Sequence, residues 1–168
     1  MAAIIHIALG GNRRHGTHGA PERVIAAAID VIAAAGLHVA ARSSIRATKP
    51  LGPSKRRFAN AVIAVESDLP PLEILRLLQA IERDFGRRRS RRWAARVLDL
   101  DIVAAGATVV RERQGNLTIP HRDLAERSFV LDPLAEIAPV WRHPLLHLTA
   151  RQLRARLRRP RSPSTGDP

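Results

Sequence analysis

The order in which extended and helical patterns alternate along the chain is the feature that most limits its fold. Apolar runs of strand length alternate with longer segments whose apolar residues recur at helical spacing. The six segments are strands at Ile4–Leu9, Leu37–Ile45, Phe58–Ser67 and Val97–Ala105, and helices at Pro21–Ala35 and Leu72–Phe85. The order strand–helix–strand–strand–helix–strand is that of a split β-α-β unit. We therefore expect an α/β (α+β), ferredoxin-like fold with helices packed on a mainly antiparallel sheet.

The later segments are shorter and are predicted individually. Arg46–Arg57 contains several turn-forming residues and is predicted to be loop. Thr108–Arg111 is a candidate hairpin partner of the fourth strand, and Leu117–Ile119 is short and extended. Phe129–Ile137 is apolar but contains a proline, so helix is predicted only from Pro133 onwards. These segments either cover the face of the sheet opposite the two helices or leave that face as a binding surface.

The last part of the chain is predicted to divide into a helix and a tail. Thr149 is a good cap for a final helix, Ala150–Leu157. From there on, the sequence is rich in proline and basic residues and poor in apolar ones. We therefore expect one domain over residues 1–157 and a disordered basic tail over residues 158–168.

Composition and charge exclude several classes of protein. The 168-residue chain has no cysteine, which excludes a disulfide scaffold, a zinc ribbon and a thiol nucleophile. Its formal net charge of +13 favours anionic partners. The start of the chain lacks the features of a secretion signal, and the longest apolar stretch, Val24–Gly36, is too short to span a bilayer. We expect a cytoplasmic monomer with no membrane partner.

Two aspartates on the fourth strand give the clearest chemical signal. Residues two apart on a strand point the same way, so Asp99 and Asp101 share one face, roughly 6–7 Å apart. Leu98, Leu100 and Ile102 then point to the opposite face and can enter the core. Two close carboxylates repel each other unless a cation lies between them. Such a pair suits Mg²⁺, which takes one or two carboxylates together with substrate phosphates, although a solvated strand face is the simpler alternative.

A run of six arginines in the eleven residues from Gly86 to Arg96 precedes the aspartate pair. Arginine for phosphate and carboxylate for metal are the two halves of a nucleoside triphosphate site. The same arginines could instead follow a nucleic-acid backbone, with Trp93 stacking on a base. The aspartates would repel that backbone in the absence of metal, so we expect no nucleic-acid partner. A basic nucleic-acid-binding module stays open as an alternative function.

Three further features are weak when taken singly. Gly10-Gly11-Asn12 follows the first strand, and a tight turn is its simplest interpretation, because no Gly-Lys-Ser/Thr follows to make a phosphate loop. Phe58 and Phe129 are most simply core residues. His121 follows a proline, and its default role is a structural hydrogen bond.

Taken together and in order, these blocks resemble the 6-hydroxymethyl-7,8-dihydropterin pyrophosphokinase family. The resemblance runs from about Ile5 to Pro144. The matching blocks are Ala8-Leu9-Gly10-Gly11-Asn12, Thr48-Lys49-Pro50-Leu51-Gly52, Phe58-Ala59-Asn60-Ala61, Gln79-Ala80-Ile81-Glu82, Gly86-Arg87, Trp93, Arg96 with Leu98-Asp99-Leu100-Asp101-Ile102, Ile119-Pro120-His121, Glu126-Arg127-Ser128-Phe129-Val130-Leu131 and Pro133-Leu134-Ala135-Glu136-Ile137-Ala138-Pro139. Each block alone is unspecific, but the whole series in family order is specific.

The resemblance implies a reaction and its cofactors. ATP would donate its terminal two phosphates as one unit to the hydroxymethyl oxygen of 6-hydroxymethyl-7,8-dihydropterin in folate biosynthesis, leaving AMP. Two Mg²⁺ ions would be bound through Asp99 and Asp101. The catalytic residues implied are Arg87, Arg96, Asp99 and Asp101. A catalytically weak relative that serves as an interaction subunit remains an alternative.

The resemblance also implies the residues of both substrate sites. The pterin would stack between Phe58 and Phe129, and Asn60 would read its amide edge. The substrate-binding set is Thr48, Pro50, Leu51, Phe58, Asn60, Trp93, Asp99 and Phe129. The ATP-binding set is Gln79, Glu82, Arg87, Arg89, Trp93, Arg96, Ile102, Thr118, His121 and Arg127, where Arg88 or Arg91 could replace Arg89.

Four departures from the family pattern are visible. Gly11 stands where the family usually has serine, Arg46 stands where it often has an aromatic residue, Ala94-Ala95 replaces a usual Gly-Pro, and Arg122 replaces a frequent proline or tyrosine. None of them removes a metal ligand or a stacking residue. We therefore expect an active enzyme with altered loop behaviour.

Overall fold

The expected alternation of strands and helices is present in the structure, a computed structural model that describes residues 2–48, 57–86, 96–112 and 117–159. The strands are β1 (Ala3–Gly11), β2 (His38–Arg42), β3 (Arg46–Thr48), β4 (Phe58–Ser67), β5 (Asp99–Ala105), β6 (Val110–Glu112) and β7 (Leu117–Ile119). The α-helices are α1 (Pro21–Ala34), α2 (Pro71–Asp84), α3 (Ser128–Ile137) and α4 (Ala150–Arg158), and a single 3₁₀ turn spans Leu124–Glu126.

Five strands form one antiparallel sheet in the order β2–β4–β1–β5, with β3 also paired to β4. The two long central strands lie side by side, because each of the first two helices carries the chain across a neighbouring strand. This is the order that a ferredoxin-like chain requires, and the predicted fold class is confirmed.

One face of the sheet is covered by α1 and α2. Alternate residues of β1, β4 and β5 point to this face and are apolar, as period-two alternation predicts. They pack with the apolar side of both helices into one buried cluster. Its strand members include Ile5, Ile7, Leu9, Ala61, Ile63, Val65, Leu100 and Ile102, and Leu98 joins it just before β5. We call this the first face.

The opposite, or second, face is covered in part by α3, α4 and the 3₁₀ turn. Val62 of β4 and Val103 of β5 pack there against Val130 and Leu134 of α3 and Ala150 of α4. The last helix begins where predicted, because the Thr149 hydroxyl accepts from the Gln152 N–H while the Gln152 side chain accepts from the Thr149 N–H. The later segments therefore cover part of the second face, which is one of the two alternatives that the sequence left open.

The prediction of loop over Arg46–Arg57 is wrong at its start. Residues Arg46–Thr48 form β3 and pair with β4 in the register Arg46–Asn60 and Thr48–Phe58. The reason is that β2 pairs only with the later half of β4, so the first half would otherwise leave backbone groups unpaired. Lys49 to Arg56 lie outside the described residues.

Two later predictions also need correction. Thr108–Arg111 is not a partner of the fourth strand, because the chain turns away at Gly106, whose N–H donates to the Ile4 carbonyl, and β6 pairs with β7 instead. Helix α3 begins at Ser128 and not at Pro133. A proline inside a helix removes one hydrogen bond, and burial of Val130 and Leu134 on either side of it outweighs that loss.

The end of the chain is described only as far as residue 159. Arg158, predicted to open the tail, is instead the last residue of α4, where its guanidinium donates to Asp132 at 2.7 Å. Residues 160–168 of the predicted tail lie outside the described part. Within the described ranges, no helix combines the length and apolar character needed to cross a membrane.

Candidate active site

Three adjacent strands bring Asn60, Gly10 and Asp99 into one row. Gly10 of β1 is directly opposite Asn60 of β4 on one side and directly opposite Asp99 of β5 on the other. Their strand neighbours enter the first-face core, so this row points to the second face. With strands about 4.8 Å apart, the two outer members are separated by about 10 Å across the glycine. An amide and a carboxylate thus flank the central strand.

On β1, the residue in this row and the next residue that points to the second face are both small. A Cβ atom added at Gly10 would lie 3.1 Å from the Asn60 Oδ1 atom. The next residue of β1 that points the same way is Ala8, which is opposite Asp101. At these two positions β1 therefore contributes no large side chain to the second face, although Ala8 packs against the second-face cluster.

Asp99 and Asp101 lie on the second face, while Leu98, Leu100 and Ile102 are buried in the first-face core. The predicted division of this strand is confirmed. Both carboxylates make polar or ionic interactions, so neither contacts solvent only. One guanidinium nitrogen of Arg96 donates to both oxygens of Asp99, at 2.9 and 3.0 Å.

Asn12 holds the backbone of Arg96 and was missed by sequence reasoning. Its N–H donates to the Arg96 carbonyl at 3.0 Å, and its buried side-chain Oδ1 accepts from the Arg96 N–H at 2.9 Å. Gly11 permits this approach, because a Cβ atom there would lie 2.4 Å from the Val97 carbonyl oxygen. The predicted tight turn at Gly10-Gly11-Asn12 is therefore wrong: β1 continues through Gly11, and Asn12 fixes the start of the aspartate strand.

The segment that comes after Asn12 also contacts the end of α2. His15 and Gly19 exchange backbone hydrogen bonds, and the His15 Nδ1 atom accepts from the N–H groups of Thr17 and His18. The His18 ring stacks on Phe85 with centroids 5.2 Å apart. This hairpin and Asn12 thus hold residues on both sides of the arginine run, Phe85 before it and Arg96 after it.

The aromatic and amide residues predicted for the pterin lie at the start of β4 and on α3. The Asn60 Nδ2 atom donates to the Thr48 hydroxyl at 2.8 Å, which leaves the Asn60 Oδ1 atom directed at Gly10. Phe58 is half-buried and belongs to neither of the two apolar clusters described, whereas half-buried Phe129 packs against the second-face cluster. The Arg127 guanidinium carbon lies 5.8 Å from the centre of the Phe129 ring. Phe58 is therefore the less core-like of the two aromatic residues.

The outer edge of β5 carries part of the predicted ATP set. The buried carboxylate of Glu82 accepts from the Leu100 N–H at 2.7 Å. Two residues further along β5, Ile102 lies where the register of this strand with β1 shifts. The Ile102 side chain is buried, so only its backbone can contact a ligand here. Gln79 is exposed on α2, nearly one turn before Glu82.

Thr118, His121 and Arg127 form a second part of that set, beyond Val103. The His121 N–H donates to the Val103 carbonyl at 2.9 Å. Its Nδ1 atom accepts from the Asp123 N–H at 3.2 Å, which leaves Nε2 as the hydrogen-bearing nitrogen of the neutral ring. Arg127 donates to the Asp123 carboxylate at 2.6 Å. Thr118 and His121 both line a cleft of about 790 Å³.

Several predicted site residues lie outside the part of the chain that is described. They are Pro50 and Leu51 of the pterin set and Arg87, Arg88, Arg89, Arg91 and Trp93 of the arginine run. The described residues bring the two aspartates, Arg96, Asn60 and Thr48 together around the strand row.

The donor set at Asp99 and Asp101 fits a magnesium ion that arrives with phosphate. Among the described residues, no group of three or more His, Asp or Glu side chains could hold a metal by itself. Two carboxylates on one strand face are the share of ligands that Mg²⁺ usually takes from protein at nucleotide sites, and phosphate oxygens and water supply the rest. The residues present are therefore suited to a metal–nucleotide complex.

Comparison with known proteins gives consistent relatives. The family model for 7,8-dihydro-6-hydroxymethylpterin-pyrophosphokinase (HPPK) matches residues 6–139. The chain is 42% identical over 135 residues to the 2-amino-4-hydroxy-6-hydroxymethyldihydropteridine pyrophosphokinase of Haemophilus influenzae, covering 79% of this chain and 80% of that protein. It is 39% identical over 146 residues to the protein of the same name from Pseudomonas aeruginosa, covering 86% of each.

Solved structures agree on the fold. The wild-type Plasmodium falciparum HPPK-DHPS crystal structure superimposes with a TM-score of 0.71 at 14% identity, covering 93% of this chain. The chain spans 41% of that longer protein. At this level of identity the likeness supports the fold alone.

Proposed function

The chain belongs to the 7,8-dihydro-6-hydroxymethylpterin-pyrophosphokinase family, and from that premise we propose how its own residues perform the reaction. The chain is a transferase of folate biosynthesis that moves pyrophosphate from ATP to the hydroxymethyl group of 6-hydroxymethyl-7,8-dihydropterin. A nucleic-acid-binding module is not favoured by these relatives. The residues that hold each substrate, and the part that each residue plays in the transfer, are proposals.

The row Asn60–Gly10–Asp99 is the observation that carries the proposal for the pterin. The ring lies over Gly10, between Phe58 and Phe129, and the Asn60 amide reads the amide edge of the pterin. A planar polar heterocycle gains from stacking between two aromatic rings. The hydroxymethyl group then extends toward Asp99, on the other side of the glycine. Thr48 orients Asn60, and Pro50, Leu51 and Trp93 complete the predicted site from outside the described residues.

Asp99 and Asp101 are the proposed ligands of two Mg²⁺ ions, shared with the phosphates of ATP. When bound there, Mg²⁺ would neutralise negative charge on the phosphate oxygens. Arg96 donates to Asp99, and the same guanidinium would donate to a phosphate oxygen of ATP, which arginine binds well. Asn12 fixes the backbone from which Arg96 extends.

ATP is proposed to bind along the outer edge of β5 and across to Thr118. The nucleobase is proposed to hydrogen-bond with the backbone of Ile102 and with Gln79, while Glu82 holds the adjacent Leu100 N–H. The His121 Nε2–H and the Arg127 guanidinium are donors for the phosphates. Arg87, Arg89 and Trp93, outside the described residues, are expected to complete this set.

The chemical step is a displacement at the β-phosphorus of ATP. The hydroxymethyl oxygen forms a bond to that phosphorus, and the bond from the phosphorus to the oxygen bridging toward the α-phosphorus breaks. The departing oxygen and its electron pair leave with AMP, and the hydroxyl proton passes to solvent or to a phosphate oxygen. The contribution of the protein is to align the two reactants and to balance charge.

The nucleotide product tests this function directly. The chain is incubated with ATP, Mg²⁺ and 6-hydroxymethyl-7,8-dihydropterin, and the nucleotides are separated by ion exchange. We expect AMP in equal amount to the pterin diphosphate and no ADP. AMP formation that does not need the pterin would contradict the proposal, and ATP binding without turnover would favour the catalytically weak alternative.

Oligomeric state, compartment and nucleic-acid binding are also proposals. We expect the chain to act as a monomer, to be cytoplasmic and to bind no nucleic acid in its function. Sedimentation in the presence and absence of both substrates checks the first. Competition of AMP formation by duplex and single-stranded RNA at physiological salt checks the last, because phosphate-backbone binding weakens steeply with salt.

A further inference from the structure

Glu136, near the end of α3, ties that helix to the connection between β2 and β3. Its Oε1 atom accepts from the Ser44 N–H at 2.8 Å, and its Oε2 atom accepts from the Ser44 hydroxyl at 2.9 Å. The Arg46 guanidinium donates to the same Oε2 atom at 2.6 Å. A single carboxylate therefore makes three hydrogen bonds to two residues that lie far earlier in the chain.

The two elements that Glu136 joins carry residues on opposite sides of the proposed pterin slot, the space between Phe58 and Phe129. Helix α3 carries Phe129, seven residues before Glu136, which is close to two turns and thus the same side of the helix. Strand β3 begins two residues after Ser44 and carries Thr48, which accepts from Asn60. Along this path, Glu136 lies between Phe129 on α3 and Thr48 on β3, which orients the Asn60 amide.

We propose that Glu136 is a positioning residue for the pterin: it sets the separation between the Phe129 wall and the β3–β4 wall of the slot. The inference rests on the proposed pterin site. It assigns to Glu136 no contact with either substrate. It also gives a role to Arg46, whose guanidinium donates to Glu136 on α3.

The charge of Glu136 is maintained by the same contacts. The Ser44 N–H first, and then the Arg46 guanidinium, hold the pKa of the Glu136 carboxyl below its ordinary value of 4.5. The Glu136 side chain is exposed, so each of its hydrogen bonds contributes little to the free energy of unfolding. A loss of position is therefore expected to appear in substrate binding more clearly than in the stability of the chain.

A second carboxylate on the same helix provides a matched control. Asp132 accepts from the Arg158 guanidinium at 2.7 Å and so ties α3 to α4, away from β3. Asp132→Asn removes an acid–arginine contact of the same kind from the same helix. It should leave the slot unchanged if the position of β3 is what matters.

The test is steady-state kinetics of Glu136→Gln, Glu136→Ala and Asp132→Asn, with thermal melts of each. For both Glu136 variants we expect the KM for the pterin to rise about tenfold, the loss of about 1.4 kcal/mol, with the KM for ATP and kcat within about twofold of wild type. Asp132→Asn should leave both KM values unchanged. Ser44→Ala should raise the pterin KM in the wild-type background but add little to Glu136→Ala, because the two act through one contact.

The outcomes separate this inference from the proposed slot itself. A pterin KM unchanged in the Glu136 variants, raised equally by Asp132→Asn, or raised together with the ATP KM would overturn the positioning role. Phe58→Ala is measured in parallel. If Phe58→Ala raises the pterin KM and Glu136→Gln does not, the slot stands and the inference fails. If Phe58→Ala has no effect on that KM, the pterin binds elsewhere and both fail.

Discussion

The two faces of the sheet differ most clearly at three consecutive residues of β5. Leu100 is buried in the first-face core, and the residues on either side of it, Asp99 and Asp101, point to the second face and remain partly exposed. On the first face, α1 and α2 bury apolar residues of the central strands along their length. On the second face, α3 and α4 pack near Val62 and Val103.

This difference explains why the candidate site lies at one end of the second face. Where the described helices cover the strands, alternation gives a core. Where the described elements leave the second face uncovered, the alternate positions are a glycine, an amide and two carboxylates. The two faces should therefore respond differently to substitution. Changes on the first face should alter stability, and changes in the row at Gly10 should alter catalysis.

The largest expected effect is on turnover in Asp99→Asn and Asp101→Asn. Each variant removes a charge needed beside the phosphates, and we expect kcat to fall on the order of a thousandfold. The free energy of unfolding should change by less than about 1 kcal/mol, since partly exposed ion pairs contribute little. Coupled detection of AMP, with urea unfolding of the same samples, measures both quantities.

Leu100→Ala is the matched variant on the opposite face. Truncation of a buried leucine should lower the free energy of unfolding by about 2–5 kcal/mol. At a temperature where the variant is folded, kcat should stay within about threefold of wild type, since its neighbours keep their direction. A large loss of turnover in folded Leu100→Ala, equal to that of the aspartate variants, would show that the two faces are not independent.

A buried histidine tests whether the covered part of the second face behaves as core. His6 lies beside Trp141 with ring centroids 6.1 Å apart, and within the described chain its buried Nδ1 atom has no hydrogen-bond partner. Burial lowers the pKa of His6 from 6.5 to about 4. Between pH 6.5 and pH 4, the unfolded chain therefore binds a proton at His6 that the folded chain does not. The stability due to neutral His6 is present above pH 6.5 and is lost as the pH falls toward 4.

The expected size of that effect is about 3 kcal/mol between about pH 7 and pH 4. Urea unfolding of the wild type and of His6→Gln across this range isolates it, because the carboxylates titrate in both proteins. The variant should lose less stability on acidification. Parallel pH curves would indicate that His6 is accessible to protons in the folded chain.

The two aromatic residues of the proposed slot should respond differently to truncation. Phe58→Ala should raise the KM for the pterin about tenfold, near 1.4 kcal/mol, with almost no change in stability, because Phe58 packs in neither described apolar cluster. Phe129→Ala should raise the same KM and also lower the free energy of unfolding by about 2 kcal/mol. That is below the roughly 3–5 kcal/mol of a fully buried phenylalanine, because Phe129 is half-buried against the second-face core. Equal losses of stability in both variants would identify Phe58 as a core residue.

The smallest effect is expected from one methyl group added in the row at Gly10. In Gly10→Ala the new Cβ atom would crowd the Asn60 Oδ1 atom at 3.1 Å. We expect the pterin KM to rise about threefold to fivefold, below about 1 kcal/mol. Gly16→Ala is the control, because a Cβ atom there meets nothing within 4 Å. Identical kinetics for the two variants would remove Gly10 from the site.

The sequence predicts those parts of this architecture that depend on local pattern. The limits of β4 agree with its apolar run from Phe58 to Ser67, and period-two alternation placed Asp99 and Asp101 on the face opposite Leu100. Both features result from the geometry of one strand. Resemblance to a family supplied the candidate roles, and many of those roles remain proposals.

The features that sequence reasoning missed depend on partners distant in the chain. Strand β3 forms because β2 leaves half of β4 unpaired, and Asn12 matters because the Arg96 backbone, 84 positions later, lies within its reach. Helix α3 continues through Pro133 because its flanking residues are buried by other elements. No local pattern carries this information, since each outcome is decided by what packs alongside.

A crystal structure with Mg²⁺, 6-hydroxymethyl-7,8-dihydropterin and an ATP analogue tests the central claim most directly. The analogue carries a methylene group between the α- and β-phosphorus atoms, which blocks the bond that must break. The account predicts the pterin over Gly10 between Phe58 and Phe129, an Asn60 amide atom about 3 Å from its edge, and metal density at Asp99 and Asp101. A pterin bound elsewhere, or metal held by other residues, would contradict it.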